Sequence, residues 1–176
     1  MEKYLELYDH VFVTGALLND ILKARGDEIG TSLTSDVSLV GASFLDNPKL
    51  VPAIDVVVES SHGTRISSIH NISPAEKIID MGPATLASLL PLVNNAKTIL
   101  WNGPLGLYEK GAIGGTEILA KQIAGSGAFS IVGGGDTVAA IESLNLNNKF
   151  GFVSTGGGAM LTFLELGTTP AIEALG

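Results

Sequence analysis

Asp136 and Thr137 follow three glycines, Gly133–Gly135, at the end of the apolar run Phe129-Ser130-Ile131-Val132. A carboxylate can hold Mg²⁺, and a hydroxyl can donate to a phosphate oxygen. Glycines let a ligand approach the backbone closely, because no Cβ stands in the way. The amphipathic run after them would put free N–H groups and the positive end of a helix dipole at the same point. Such a set can hold and orient a phosphate together with its metal. The same residues also read as a plain turn from strand to helix, with Asp136 as the N-cap. Taken alone, the stretch supports both readings.

The elements that would position these residues repeat along the chain. Val11–Val13, Pro52–Ser60, Lys77–Asp80, Thr98–Trp101, Phe129–Val132 and Phe150–Val153 read as short buried strands. Between them lie helical patterns. Leu17, Leu18, Ile21 and Leu22 share one face, Leu86, Leu89, Leu90 and Val93 another, and Ile118, Leu119 and Ile123 a third. Met160, Leu161, Phe163 and Leu164 mark a fourth helix. Val37–Leu45 has helical spacing interrupted by Gly41, 66–72 reads as loop with weak strand character, and 167–176 has no strong pattern. Alternating strands and helices imply an α/β fold: a three-layer, doubly wound, mainly parallel sheet with helices on both faces. Residues 1–176 fit a single domain. In such sheets ligands bind beyond the carboxyl ends of the strands. Four strands run into glycine-containing turns, at Gly15, Gly103, Gly133–Gly135 and Gly156–Gly158. That distribution favours a nucleotide reading over isolated tight turns.

Composition removes several classes. The formal net charge is −8, which argues against nucleic acid as a partner. It also leaves any phosphate site to local backbone and a few lysines. There are no cysteines, so disulfides and thiolate metal sites are excluded. The start has no apolar signal region, and no apolar run reaches the roughly 18 residues that span a bilayer. A cytoplasmic protein without a membrane partner is the expectation. The P-loop pattern, G-x-G-x-x-G, HEXXH and G-x-S-x-G are all missing. His10, His62 and His70 are scattered and read as surface or turn residues.

Three ordered motifs carry a resemblance. Trp101-Asn-Gly-Pro-Leu-Gly-Leu-Tyr-Glu109, Gly133-Gly-Gly-Asp-Thr137 and Val153-Ser-Thr-Gly-Gly-Gly-Ala159 look like phosphoglycerate kinase. Glu28–Leu33, Asp55–Val58 and Asp80–Pro83 support it, so that nearly the whole chain is covered. The likeness is to the C-terminal, nucleotide-binding half of that two-domain enzyme, which moves a phosphoryl group between 1,3-bisphosphoglycerate and ADP. It implies ATP or ADP with Mg²⁺ as ligands. Gly15 would line the adenine pocket, and Asn102, Gly103 and Pro104 would form a turn beside ribose and phosphates. Glu109 would bind the ribose hydroxyls. Gly133, Gly134 and Gly135 would cradle phosphate, Asp136 would hold the metal, and Thr137 would contact a phosphate. Gly156, Gly157 and Gly158 would bring N–H groups to the transferring phosphoryl group. Without the resemblance, Trp101 reads as core packing, Glu109 as a solvated loop residue, and Asp80 as a cap for the turn before Pro83.

The departures from the family are specific. The Gly-Gly-Ala-Lys strand end and the Asp-Lys-Ile that follow it in the family have no counterpart before Tyr4. Thr14-Gly15-Ala16-Leu17 stands where the family has Gly-Gly-Gly-Met, adding Cβ atoms beside the expected adenine pocket. The basic N-terminal substrate half is absent, and Arg25 and Arg65 are the only arginines. Weak nucleotide binding with little or no turnover by the chain alone is therefore expected. The alternative is a non-catalytic structural or interaction module, its truncated sheet edge covered by a separate substrate domain or by a second copy.

Overall fold

Six strands form in a computed structural model of the protein, which describes residues 1–35 and 37–175. They divide between two compact units. One comprises Met1–Leu92 with Leu105–Gly115; the other comprises Val93–Pro104 and the chain from Thr116 onward.

The first unit holds α1 (Glu2–Leu7), α2 (Gly15–Ala24), β1 (Asp55–Ser60), β2 (Gly63–Ser68), β3 (Lys77–Met81) and the start of α3 (Pro83–Asn95). Its sheet is antiparallel in the order β2-β1-β3. Val56 and Val58 of the central strand are fully buried. Leu5, Ile21, Leu45 and Leu50 form a core cluster flanked by Val11 and Val13. Asp55 caps α3: its carboxylate accepts from Ala84 N at 3.1 Å and from Thr85 N at 2.7 Å. The cap needs Gly82, because a Cβ there would stand 2.3 Å from the Asp55 Cγ.

The second unit holds β4 (Thr98–Asn102), β5 (Phe129–Gly133), α5 (Gly135–Ser143), β6 (Phe152–Ser154), α6 (Gly157–Leu166) and α7 (Pro170–Ala174). Helix α4 (Gly114–Ser126) begins at the end of the first unit and continues into it. Its sheet is parallel in the order β4-β5-β6, with α5 and α6 both against β5. Val132, Ala140 and Ile141 are completely buried, as the apolar strand–helix pattern requires.

The chain is therefore α/β with a parallel sheet flanked by helices, and carries an antiparallel sheet besides. The alternation of strands and helices did not reveal that second sheet, for an identifiable reason. Strand β2 is Gly-Thr-Arg-Ile-Ser-Ser and exposed at every residue but Ser67, so it carries no apolar signal. Two local expectations also change. Val11–Val13 makes only an isolated parallel bridge, Val11 to Leu50. Val37–Leu45 forms no α-helix: Val40-Gly41 is a turn, and Ser43–Asp46 is a short 3-10 segment. Val37 and Val40 are exposed, so no buried face stabilises a helix there. The buried Asp20 instead pulls the preceding loop onto α2, accepting from Ser35 N at 3.0 Å and Ser35 Oγ at 2.6 Å. Among the described residues no helix is long and apolar enough to cross a membrane.

Candidate functional site

The three parallel strands end in register. Asn102 pairs with Gly133, and Gly133 with Ser154. Each then breaks into a glycine turn, so Gly103, Gly134 and Gly156 all leave the carboxyl edge of one sheet. The turns are packed to backbone distance around the Asn102 side chain. A Cβ on Gly157 would stand 2.5 Å from Asn102 Oδ1 and 2.6 Å from Gly134 N. A Cβ on Gly133 would stand 2.9 Å from the same Oδ1. Gly103 N donates to Gly133 O at 3.3 Å. Gly134 has φ 97°, a backbone region that L side chains rarely adopt. Glycine is thus dictated at 134 by conformation and at 157 by close approach to backbone, whereas a Cβ on Gly133 would meet the ends of the Met160 and Asn102 side chains. Gly135 and Gly158 face open space.

Two helices start on this edge. In α5 the first intrahelical bond is Val138 N to Gly134 O at 2.9 Å, and in α6 it is Met160 N to Gly156 O at 2.9 Å. The N–H groups of Gly135, Asp136, Thr137, Gly157, Gly158 and Ala159 therefore have no intrahelical acceptor. Both dipoles present their positive ends there.

Asp136 is exposed and its carboxylate has no hydrogen-bond partner among the described residues. It is not the N-cap that the local reading allowed. Gly134 takes that position, and Asp136 lies in the first turn. Thr137 is fully buried, and its hydroxyl, 3.6 Å from where a Cβ on Gly134 would stand, has no partner among the described residues. Trp101 is buried, as core packing requires.

The structure thus brings together Asn102, Gly103, Gly133, Gly134, Thr137 and Gly157, with Pro104, Gly135, Asp136, Gly156 and Gly158 in the same turns. Gly15 and Glu109 belong to the other unit. Gly15 opens α2 and is exposed, with Thr14 as N-cap. Glu109 lies in a short 3-10 turn, Tyr108–Lys110, and is exposed.

Asp80 has a different place from the one its sequence suggests. The turn before Pro83 is capped by Asp55, whereas Asp80 accepts from Gly115 N, in the first turn of α4, at 2.8 Å. Burial pushes its pKa above the ordinary carboxylate value, and the bonds from Gly115 and Met81 oppose that shift. The clue lies in Gly106 and Gly115, two glycines that make room for one carboxylate.

No group of three or more His, Cys, Asp or Glu among the described residues could hold a metal ion. One exposed carboxylate without a partner among the described residues, beside helix N–H groups with no intrahelical acceptor, fits Mg²⁺, which keeps waters and takes most other ligands from the phosphates it accompanies.

Comparison with known proteins identifies the family. The family model for phosphoglycerate kinase matches residues 1–166. A phosphoglycerate kinase of Blochmanniella floridana is 39% identical over 181 aligned residues, covering 99% of this chain and 45% of the relative. One from Baumannia cicadellinicola is 40% identical, covering 99% of this chain and 46% of the relative. The solved phosphoglycerate kinase of Coxiella burnetii superimposes with a TM-score of 0.83 at 38% identity, over 99% of this chain and 48% of that one. The Pyrococcus horikoshii enzyme gives 0.78 at 25% identity. The chain spans about half the length of the curated relatives it matches. With the family model matching nearly all of it, the chain belongs to the phosphoglycerate kinase family.

Proposed function

We propose that residues 1–176 work as one nucleotide-binding domain that takes the Mg²⁺ complex of ADP or ATP at the carboxyl edge of β4-β5-β6. The observation that carries this is the convergence of three glycine turns and two helix N-termini on Asn102. In this reading Gly133–Gly135 and Thr137 receive phosphates, and Asn102, Gly103 and Pro104 lie beside ribose and phosphates. Gly15 lines the base and Glu109 binds the ribose. Asp136 holds Mg²⁺, which when bound neutralises charge on the phosphate oxygens. The N–H groups of Gly156–Gly158 face the transferring phosphoryl group and stabilise charge where it develops.

The reaction is the glycolytic exchange of a phosphoryl group between 1,3-bisphosphoglycerate and ADP, in the cytoplasm. The chain spans about half the length of the relatives it matches, and its only arginines are Arg25 and Arg65. Binding without turnover is expected of it. Asp136→Ala tests the assignment. Loss of Mg²⁺-dependent ADP affinity is expected, with a stability change of no more than about 1 kcal/mol from its place near the helix dipole. Unchanged affinity refutes the metal role.

A second reading is favoured by one feature. Helix α6 is mostly apolar, yet Gly157 is its only buried residue; Phe163 is 47% and Leu166 64% exposed. An apolar helix of this kind is normally covered. A separate substrate domain, or a second copy of the chain, covering the second unit would make it an interaction module. Light scattering after size exclusion separates the readings: a monomer with intact nucleotide binding speaks against the module.

A further inference from the structure

The loop Leu105–Gly115 carries Glu109 near its middle and is closed by one buried side chain. Asp80, only 5% exposed at the end of β3, lies against both ends of that loop. Its Oδ2 accepts from Gly115 N at 2.8 Å, and its Cγ is 2.7 Å from where a Cβ on Gly106 would stand. Its Oδ1 accepts from Met81 N at 2.8 Å, which fixes the carboxylate on its own strand. The neighbouring Ile79 O accepts from Leu107 N at 2.8 Å. Inside the loop, Lys110 N and Ala112 N donate to Leu107 O, and Gly111 N to Tyr108 O. The loop is thus a self-bonded turn whose placement is set where its ends meet β3. The Glu109 carboxylate has no hydrogen-bond partner of its own among the described residues, so nothing at its tip orients it. A buried carboxylate without a cation is costly, and here its acceptors are spent on β3 and on the loop.

We propose that Asp80 is a positioning residue for nucleotide recognition, pinning both ends of Leu105–Gly115 and so fixing the loop that carries Glu109. This rests on the reading of Glu109 as the ribose contact. A ligand without a ribose separates the two claims. Calorimetry of the whole chain with Mg·ADP and with Mg·pyrophosphate gives the comparison. Asp80→Asn keeps size and one acceptor but loses the second carboxylate oxygen. It is expected to weaken Mg·ADP about tenfold, as the loss of one hydrogen bond does, and to leave Mg·pyrophosphate unchanged. In a Glu109→Ala background it should add no further loss. Amide exchange across 107–113 should quicken in Asp80→Asn, a readout that needs no ligand. If that variant does not fold, Gly106→Ala displaces the same loop end and carries the same comparison. Equal weakening of both ligands, unchanged Mg·ADP affinity, or losses that add to those of Glu109→Ala overturn the positioning role. A wild-type chain that takes Mg·pyrophosphate and Mg·ADP equally overturns the ribose reading and this proposal together. One that takes neither overturns the whole site.

Discussion

Gly157→Ala and Gly158→Ala are neighbouring substitutions with opposite expected outcomes. A Cβ on Gly157 would meet Asn102 Oδ1 at 2.5 Å, Gly134 N at 2.6 Å and Gly134 Cα at 2.7 Å. That is about 1 Å inside the 3.5–4.0 Å of an ordinary nonbonded carbon contact. Two of the three neighbours are backbone, so relief requires the β5 and β6 turns to separate. Overpacking of this kind costs about 1–3 kcal/mol. Gly158, one residue on in the same helix, faces open space. Alanine there restricts the unfolded chain and favours the helix, a gain of about 0.5–1 kcal/mol. The two variants should differ by roughly 1.5–4 kcal/mol in urea unfolding, and only Gly157→Ala should also lose Mg·ADP affinity. A Gly157→Ala chain as stable as Gly158→Ala refutes the close packing of the three turns.

The remaining predictions concern stability. Gly30 has φ 58°, and a Cβ there would stand 1.9 Å from Glu76 O, so Gly30→Ala should lower stability by about 3 kcal/mol or more in thermal or urea unfolding. Arg65 binds Glu76 with both carboxylate oxygens, at 2.6 and 2.7 Å, and these bonds, with that from Ser73 N, hold Glu76 below the ordinary carboxylate pKa. Its contribution is therefore present above the unfolded pKa of about 4.3 and lost as pH falls through the lower folded value. Glu76→Gln should remove that loss in acid titrations followed by circular dichroism. Asp80 has the opposite sign. Its raised pKa favours the fold below about pH 3.9, and the advantage is lost as pH rises through the folded value. Asp80→Asn should flatten that segment of the curve.

Much of the parallel sheet was legible in the sequence because its strands are apolar and end in glycine. Phe129–Val132 extends by one residue as β5, and Thr98–Trp101 by one as β4. The glycine turns could be placed on one rim from strand direction alone. What spacing could not give was Asn102 as the hub against which Gly133 and Gly157 pack, since that contact joins segments 31 and 55 residues apart. β2 escaped because polar exposed strands have no hydrophobic period, and α1 because a six-residue helix with one buried residue has almost none. The local reading of Asp80, as a cap for the turn before Pro83, does not hold. An aspartate two residues before Gly82-Pro83 reads as a local cap, and only tertiary structure shows that Asp55, from the neighbouring strand, takes that place.

Amide chemical-shift mapping with Mg·ADP tests the central claim most directly. Titration to millimolar nucleotide should shift Asn102–Gly103, Gly133–Thr137 and Gly156–Ala159 together, with one saturation curve that disappears when Mg²⁺ is chelated. Shifts that saturate elsewhere, or none on these three turns, would contradict a Mg²⁺-nucleotide site on this edge.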